Sequence, residues 1–351
     1  MTNEVSTPAR RKQLLEHLFP GGVPSLWCPA LTHYDAHGAI DGPRIAAHLE
    51  HISLHVKGFL IPGSTGDGWE LTEQETGQLL EIAIDQAQRL NLHLLIGALK
   101  HDTREALRMI RETVDRIKVR TNESDVRLAL AKARVCGFTV CPPRGAELSQ
   151  EEIRAALESI LETGLPTAIY QLPQITQNEI SAELASDLAA RFENFILLKD
   201  TSGVDRVVSS GKDLSGIFAV RGAEGDYARW LKAAGGVYDG FLLSTANCFA
   251  RELNQLIQDV SNGRLDAARQ MSERVTSTVN EAFQAVVHLP TGNPFANANK
   301  AIDHCLAYGA KAPGAPPPRL HGGIPLPADV IRTTAEILSR YGFMPAKGYL
   351  G

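Results

Sequence analysis

Short apolar runs recur along the chain, each closed by Gly, Pro or a polar cluster, and between them apolar residues return at helical spacing. Eight such runs cover residues 25–31, 58–62, 92–97, 137–141, 167–172, 194–199, 217–221 and 240–244. Runs this short and this continuously apolar suit strands buried on both faces of a parallel sheet, being too short for buried helices. Their alternation with helical segments predicts parallel βα units, and eight of them predict the α/β class with a closed (β/α)8 TIM barrel. Helix starts support the reading. Thr72-x-x-Glu75, Ser149-x-x-Glu152 and Thr176-x-x-Glu179 each fit a capping box, in which a hydroxyl and a carboxylate satisfy free backbone donors.

The third βα unit is enlarged, with helical sequence and a charged insert around residues 116–127. After the eighth run, helical patterns cover residues 250–262, 265–287, 297–308 and 327–341, and the proline-rich residues 312–318 read as an extended linker without helix potential. The expected organisation is an N-terminal arm and lead-in over residues 1–23, a catalytic barrel over 24–249, and a C-terminal helical region over 250–351 packed on the barrel. Nothing in the last part suggests a separate core.

Composition narrows the function. With 351 residues and 44 % apolar content the chain is long enough for one large core. A net charge of −5 leaves no basic footprint for nucleic acid, and no run of Lys or Arg points to a membrane surface. No apolar stretch approaches the ~20 residues that span a bilayer, and residues 1–12 lack the apolar core of a signal peptide. Cys28, Cys136, Cys141, Cys248 and Cys305 are scattered and odd in number, which fits reduced thiols in a cytoplasm better than a disulfide framework or a zinc site.

Active sites of such barrels lie at the C-terminal ends of the strands, and four segments carry chemistry there. The sixth run ends in Lys199-Asp200-Thr-Ser-Gly203. An ammonium half out of water loses part of the preference for its charged form, and the neutral amine attacks carbonyl carbons; a structural lysine held in an ion pair would occupy the same place. After the second run, Gly63-Ser64-Thr65-Gly66-Asp67-Gly68 combines a flexible turn with two hydroxyls, an anion nest or a plain turn. Its glycine spacing is not that of a dinucleotide fingerprint, and no P-loop lysine follows. Tyr170, in Tyr170-Gln-Leu-Pro173, is either a proton carrier or a buried aromatic with a bonded hydroxyl. Beyond the seventh run lies Gly222-Ala-Glu224, and the eighth carries Leu242 and Ser244. Trp69 and Arg144 fall on loops after strands, where they shape the pocket or lie on the surface. His48, His51 and His55 have helical spacing suited to a metal, but no acidic group stands beside them in sequence, so no metal site is expected there.

In order and spacing, Gly-Ser-Thr-Gly-Asp at 63–67, Tyr170-x-x-Pro173 and Leu-Lys-Asp-x-Ser-Gly at 198–203 resemble the dihydrodipicolinate synthase/N-acetylneuraminate lyase family of pyruvate-type class I aldolases. The resemblance extends over residues 24–345. It implies a homo-oligomeric barrel, dimer or tetramer, that needs no metal or organic cofactor and takes a small 2-oxo acid. It implies that Lys199 forms a Schiff base with the keto carbon and that Tyr170 carries protons. Gly63, Ser64, Thr65, Glu224, Leu242 and Ser244 would then bind substrate. A protonated imine withdraws electrons from the neighbouring carbon and stabilises the carbanion or enamine left when a bond there breaks.

Departures bear on the substrate. Ile175 stands where the synthases carry an arginine for a second carboxylate, Cys141-Pro-Pro-Arg144 stands in place of a relay tyrosine, and Glu224 is followed by Gly225 where the sialic acid lyases have an acidic pair. The expected activity is a Schiff-base lyase that cleaves or condenses a 2-oxo acid, not a true dihydrodipicolinate synthase. A 2-keto-3-deoxy sugar acid dehydratase using the same imine, a 2-oxo acid binding barrel without catalysis, and a metal-dependent class II aldolase are the competing readings.

Overall fold

The computed structural model describes residues 6–351. Its strands are β1 (Leu26–Pro29), β2 (Gly58–Ile61), β3 (His93–Gly97), β4 (Val135–Val140), β5 (Thr167–Gln171), β6 (Phe195–Asp200), β7 (Phe218–Arg221) and β8 (Gly240–Leu242). They close a barrel in chain order, and each of the eight expected runs overlaps one strand, although β4 begins two residues earlier and β6 ends one residue later than expected. The near-continuous apolarity has its reason in burial: β1, β2, β4, β5, β6 and β8 are buried at every position. No helix among the described residues is long and apolar enough to cross a membrane.

Two compact units divide the chain. One holds the residues up to Ser25, His93–Ala223 and Trp230–Leu242. In it β5 and β6 run in register, Ala168 opposite Leu197 and Tyr170 opposite Lys199, and β7 continues with Val220 beside Lys199. Because side chains alternate between faces, Ala168, Tyr170, Leu197 and Lys199 share one face. The charged insert forms the helices Thr103–Thr121 and Val126–Lys132. Where the polar arm was expected, residues 1–5 lie outside the described residues, and Thr7–Leu18 is a helix. Its Arg11 is fully buried and donates to the carbonyls of Phe195 and Phe192, at 2.8 and 2.7 Å, and of Ser215 and Ala189.

The other unit comprises Leu26–Leu92, Glu224–Arg229 and Leu243–Gly351. Here β1 and β2 pair with Trp27 opposite Gly58, and a side chain at Gly58 would strike the indole at 2.3 Å. The helices Ala250–Ser261, Leu265–Gln284, Pro294–Tyr308 and Ala328–Arg340 follow the expected patterns closely.

Two local expectations are corrected. The capping boxes at Thr72 and Ser149 form, but Thr176 does not cap. It ends the short turn Pro173–Thr176, its hydroxyl donates back to the Leu172 carbonyl at 3.1 Å, and Ser181 caps the next helix instead. The proline-rich stretch is not extended throughout: Gly309–Gly314 is a 3-10 turn with Ala312 buried, and only residues 316–318 lack regular structure.

Candidate active site

Lys199 is the penultimate residue of β6 and only 4 % exposed. No carboxylate among the described residues pairs with it; its Nζ lies 3.8 Å from the centroid of the Tyr170 ring instead. Adjacent parallel strands in register produce this contact. A cation over an aromatic face is stabilised by the ring quadrupole, more so away from water. Space for the lysine stem comes from Gly222, where a Cβ would lie 2.8 Å from Lys199 Cε and 2.2 Å from Thr201 Oγ1. The preceding Arg221 is pinned to Asp205 by two hydrogen bonds of 3.0 and 3.2 Å, stacks on Trp230 at 4.1 Å, and so fixes the end of β7. Tyr238 donates to the same carboxylate at 2.6 Å. Burial pushes the Cys141 thiol well above its usual range despite the nearby Lys199 charge, so it stays protonated. Burial likewise raises the carboxyl of Asp200, although the Ser202 amide donates to it at 2.9 Å.

In the second unit the turn after β2 carries the paired hydroxyls. Ser64–Gly66 forms a single 3-10 turn, and Ser64 and Thr65 are both buried. Gly63 has a packing reason, since a Cβ there would meet Pro29 at 2.7 Å; at Gly66 it would strike the Ala30 carbonyl oxygen at 2.3 Å. Asp67 ends the turn in the left-handed region at φ 60°. Its carboxylate accepts from Lys300 Nζ at 2.9 Å and from the Tyr34 hydroxyl at 3.0 Å. Burial and the Asp67 charge raise that phenol well beyond its ordinary value. The Trp69 indole N–H donates to Ser64 Oγ at 2.8 Å.

Glu224 and Ser244, twenty residues apart, meet in the same unit. One oxygen of Glu224 accepts from Ser244 Oγ at 2.6 Å and from the Thr245 amide at 3.0 Å, and the other accepts from the Tyr227 hydroxyl at 3.0 Å. The Ser244 proton is therefore committed to the carboxylate. What remains to a ligand are lone pairs, so this pair accepts hydrogen bonds from hydroxyls and repels a second carboxylate. Leu242 is the buried last residue of β8. Arg144 is exposed, and Ile175 lies half-buried in the turn after Tyr170.

His48 does have an acidic partner, 255 positions away: its Nδ1 lies 2.8 Å from Asp303 Oδ1. Asp303 also accepts from Tyr349 at 2.7 Å and from the Arg44 guanidinium, and His33 Nε2 stands 3.7 Å from it. His48 Nε2 reaches Asn247 Oδ1 at 3.2 Å, and Asn247 in turn donates to the carbonyls of Pro29 and Ser244. Arg44 and the two histidines hold the Asp303 carboxyl well below the usual carboxylate range, against its burial. The ligand atoms of His33, His48 and Asp303 lie within 4.8 Å of one another, as metal ligation would require. Yet the aspartate already accepts three strong donors and both His48 nitrogens are engaged, so the guanidinium supplies the positive charge a metal would bring.

A family model described as the dihydrodipicolinate synthetase family matches residues 128–294, a segment that contains Tyr170, Lys199, Glu224, Leu242 and Ser244. Over that segment the chain is similar to this family. A relative from Agrobacterium fabrum, a 4-hydroxy-tetrahydrodipicolinate synthase, is 27 % identical over 241 residues, covering 67 % of this chain and 72 % of its own. Solved structures share the fold. A dihydrodipicolinate synthase from Thermotoga maritima superposes with a TM-score of 0.70 at 19 % identity, over 91 % of this chain and 99 % of that one. A Sulfolobus 2-keto-3-deoxygluconate aldolase in complex with D-KDPG superposes at 0.68 and 16 % identity, over 90 % and 96 %. Members of that family are class I aldolases and lyases.

Proposed function

We propose that this enzyme forms a Schiff base between Lys199 and the keto carbon of a 2-oxo acid, pyruvate or a related compound, and makes or breaks the adjacent carbon–carbon bond. The observation that carries the reading is a buried strand-end lysine with no carboxylate partner among the described residues, set against the face of Tyr170. The unprotonated amine adds to the keto carbon, the carbinolamine hydroxyl takes up a proton and leaves as water, and the protonated imine that results draws electrons from the neighbouring carbon. The aromatic face supports the cationic imine as it supported the ammonium. Tyr170 is the proposed proton carrier, Ser64 and Thr65 the proposed holders of the substrate carboxylate. The acceptor pair Glu224 and Ser244 suits the hydroxyls of a neutral tail, and Leu242 is a further proposed substrate contact. A dimer or tetramer in the cytoplasm completes the reading.

Pyruvate and borohydride should leave a reduced pyruvyl adduct on Lys199, located by peptide mass mapping. An adduct on another lysine, or none with any 2-oxo acid, would sink the mechanism. Lys199→Arg keeps the charge but has no neutral amine near pH 7, so it should fold normally and be inactive.

Substrate choice follows from Ile175 and Glu224. With Ile175 in place of an arginine, a second carboxylate loses a charge-assisted contact typically worth about 1.5–3 kcal/mol. That is about one to two decades in kcat/KM. Aspartate semialdehyde should accordingly be a poor acceptor, and neutral hydroxylated aldehydes or 2-keto-3-deoxy acids good substrates. Efficient turnover of the semialdehyde in a kinetic panel would refute this choice. A dehydratase acting on a 2-keto-3-deoxy sugar acid is the second reading, favoured by the hydroxyl-accepting pair; product analysis for loss of water against release of an aldehyde separates the two.

A further inference from the structure

A serine hydroxyl owns one proton and two lone pairs, and it is free to act as donor or acceptor until a neighbour decides. At Ser64 the neighbour is the Trp69 indole, whose N–H donates to Oγ at 2.8 Å. Indole nitrogen has no acceptor capacity, so this bond cannot reverse its polarity as one to water or to another hydroxyl could. With a lone pair of Oγ occupied from that side, the Ser64 proton is left to point elsewhere. The turn is built to hold this arrangement. Amides of Glu70 and Leu71 both return to the Asp67 carbonyl at 3.0 Å, which folds residue 69 back toward residue 64. Asp67 itself is held by Lys300 and Tyr34, and the Thr32 hydroxyl donates to the Gly66 carbonyl at 2.7 Å. Lys300 is 1 % exposed and already ion-paired, so its part is structural.

We infer that Trp69 is a positioning residue that occupies one lone pair of Ser64 and turns its proton toward the substrate, so that the enzyme favours a carboxylate over an uncharged amide at the acid end of its substrate. The inference rests on the proposal that Ser64 holds the substrate carboxylate. It assigns the selectivity to a side chain that need not touch the substrate. An amide-bearing analogue also accepts from the oriented hydroxyl, but its neutral oxygen gains only about half of what a charged carboxylate gains from the same donor. A serine released from the indole can rotate and accept from it.

The probes are pyruvate and pyruvamide, read by borohydride trapping at Lys199 and by steady-state kinetics on whichever 2-oxo acid the wild type turns over. Trp69→Phe keeps most of the ring and removes the N–H. The concentration of pyruvate giving half-maximal trapping should rise about five- to twenty-fold, the size of one weakened bond to an anion, with kcat changed much less than KM. Preference for pyruvate over pyruvamide should fall about ten-fold, by the same loss of a directed donor. Trp69→His, which retains a ring N–H, should recover part of that preference, and Trp69→Phe added to Ser64→Ala should cause no further loss. Melting temperatures of all variants show whether they fold; should Trp69→Phe not fold, the comparison of Trp69→His with wild type and Ser64→Ala carries the test. Unchanged pyruvate/pyruvamide preference in a folded variant, or additive losses in the double variant, would overturn the inference. Absence of any wild-type adduct at Lys199 would instead sink the Schiff-base reading on which it stands.

Discussion

Lys199 and Lys300 are buried to a similar degree, yet their surroundings differ. Lys300 faces Asp67 at 2.9 Å, whereas Lys199 faces an aromatic ring and a glycine. The competing idea of an ion-paired structural lysine thus fits one of them and fails for the other. Gly222 gives this contrast a test. In Gly222→Ala the new methyl has to displace either the Lys199 stem or Thr201, and overpacking of this kind costs about 1–3 kcal/mol. Thermal melts should show that loss, and pyruvate trapping at Lys199 should slow by at least an order of magnitude. A variant that traps pyruvate at the wild-type rate would show that the lysine has room to spare. At this scale the sequence was legible where chemistry and pattern coincide: an ammonium ending an apolar run is visible in the linear order. Trp69 on Ser64 and Asp303 on His48 were not, because one depends on how a loop folds back and the other on a contact across 255 positions.

Elements were read from periodicity and caps, and the misreadings have local causes. Thr176 and Glu179 have capping-box spacing, but the proline at 173 starts a turn that uses the threonine hydroxyl before the helix begins. Where the box does form, its contribution is measurable: Thr72→Ala should lower stability by about 1 kcal/mol and leave trapping at Lys199 unaltered. Arg11 is a larger case that composition concealed, since an arginine in a polar N-terminal segment reads as surface. Its guanidinium satisfies carbonyls at the end of the helix Ala182–Arg191 and at the start of β6, groups that neither element can pair internally. Burial lowers its pKa to about 10, still far above neutrality. Arg11→Ala leaves those carbonyls buried without donors, at about 1–3 kcal/mol each, so denaturant titration should show a loss of at least about 3 kcal/mol. A loss under 1 kcal/mol would mean that water replaces the side chain.

For the molecule as a whole, the half-buried His93 and the buried His33 set the acid limit. Burial lowers His93 to about 4, and the Arg134 charge acts in the same direction. His33 is lowered well below its ordinary value by burial and by Arg44, with His48 and Lys300 adding to this and Asp303 opposing it. Both bind protons more readily unfolded than folded. Their contribution is complete above the unfolded pKa of about 6.5 and is lost as the pH falls toward the folded value. For His93 that window runs from 6.5 to about 4 and is worth up to about 3 kcal/mol. Asp303, held below the usual carboxylate range, adds a loss that begins only at more acid pH. Melting temperature should therefore fall between pH 6.5 and 4, and His93→Phe should flatten that slope; a profile already flat in the wild type would contradict the assignment. The barrel itself was legible because eight repeats of one pattern reinforce one another, whereas these pH-sensitive contacts join distant segments and leave no mark in the linear order.

All five cysteines are buried, two in one compact unit (Cys136 and Cys141) and three in the other (Cys28, Cys248 and Cys305). Burial pushes the thiols of Cys136, Cys141 and Cys248 far up, and that of Cys305 to about 12. Alkylating reagents need an accessible thiolate, so the native protein should be silent toward them and each sulfur should react only when its surroundings open. The chain thus carries internal clocks: site-resolved alkylation rates, followed by mass spectrometry under mild denaturant, would time the opening of each unit separately without any added label.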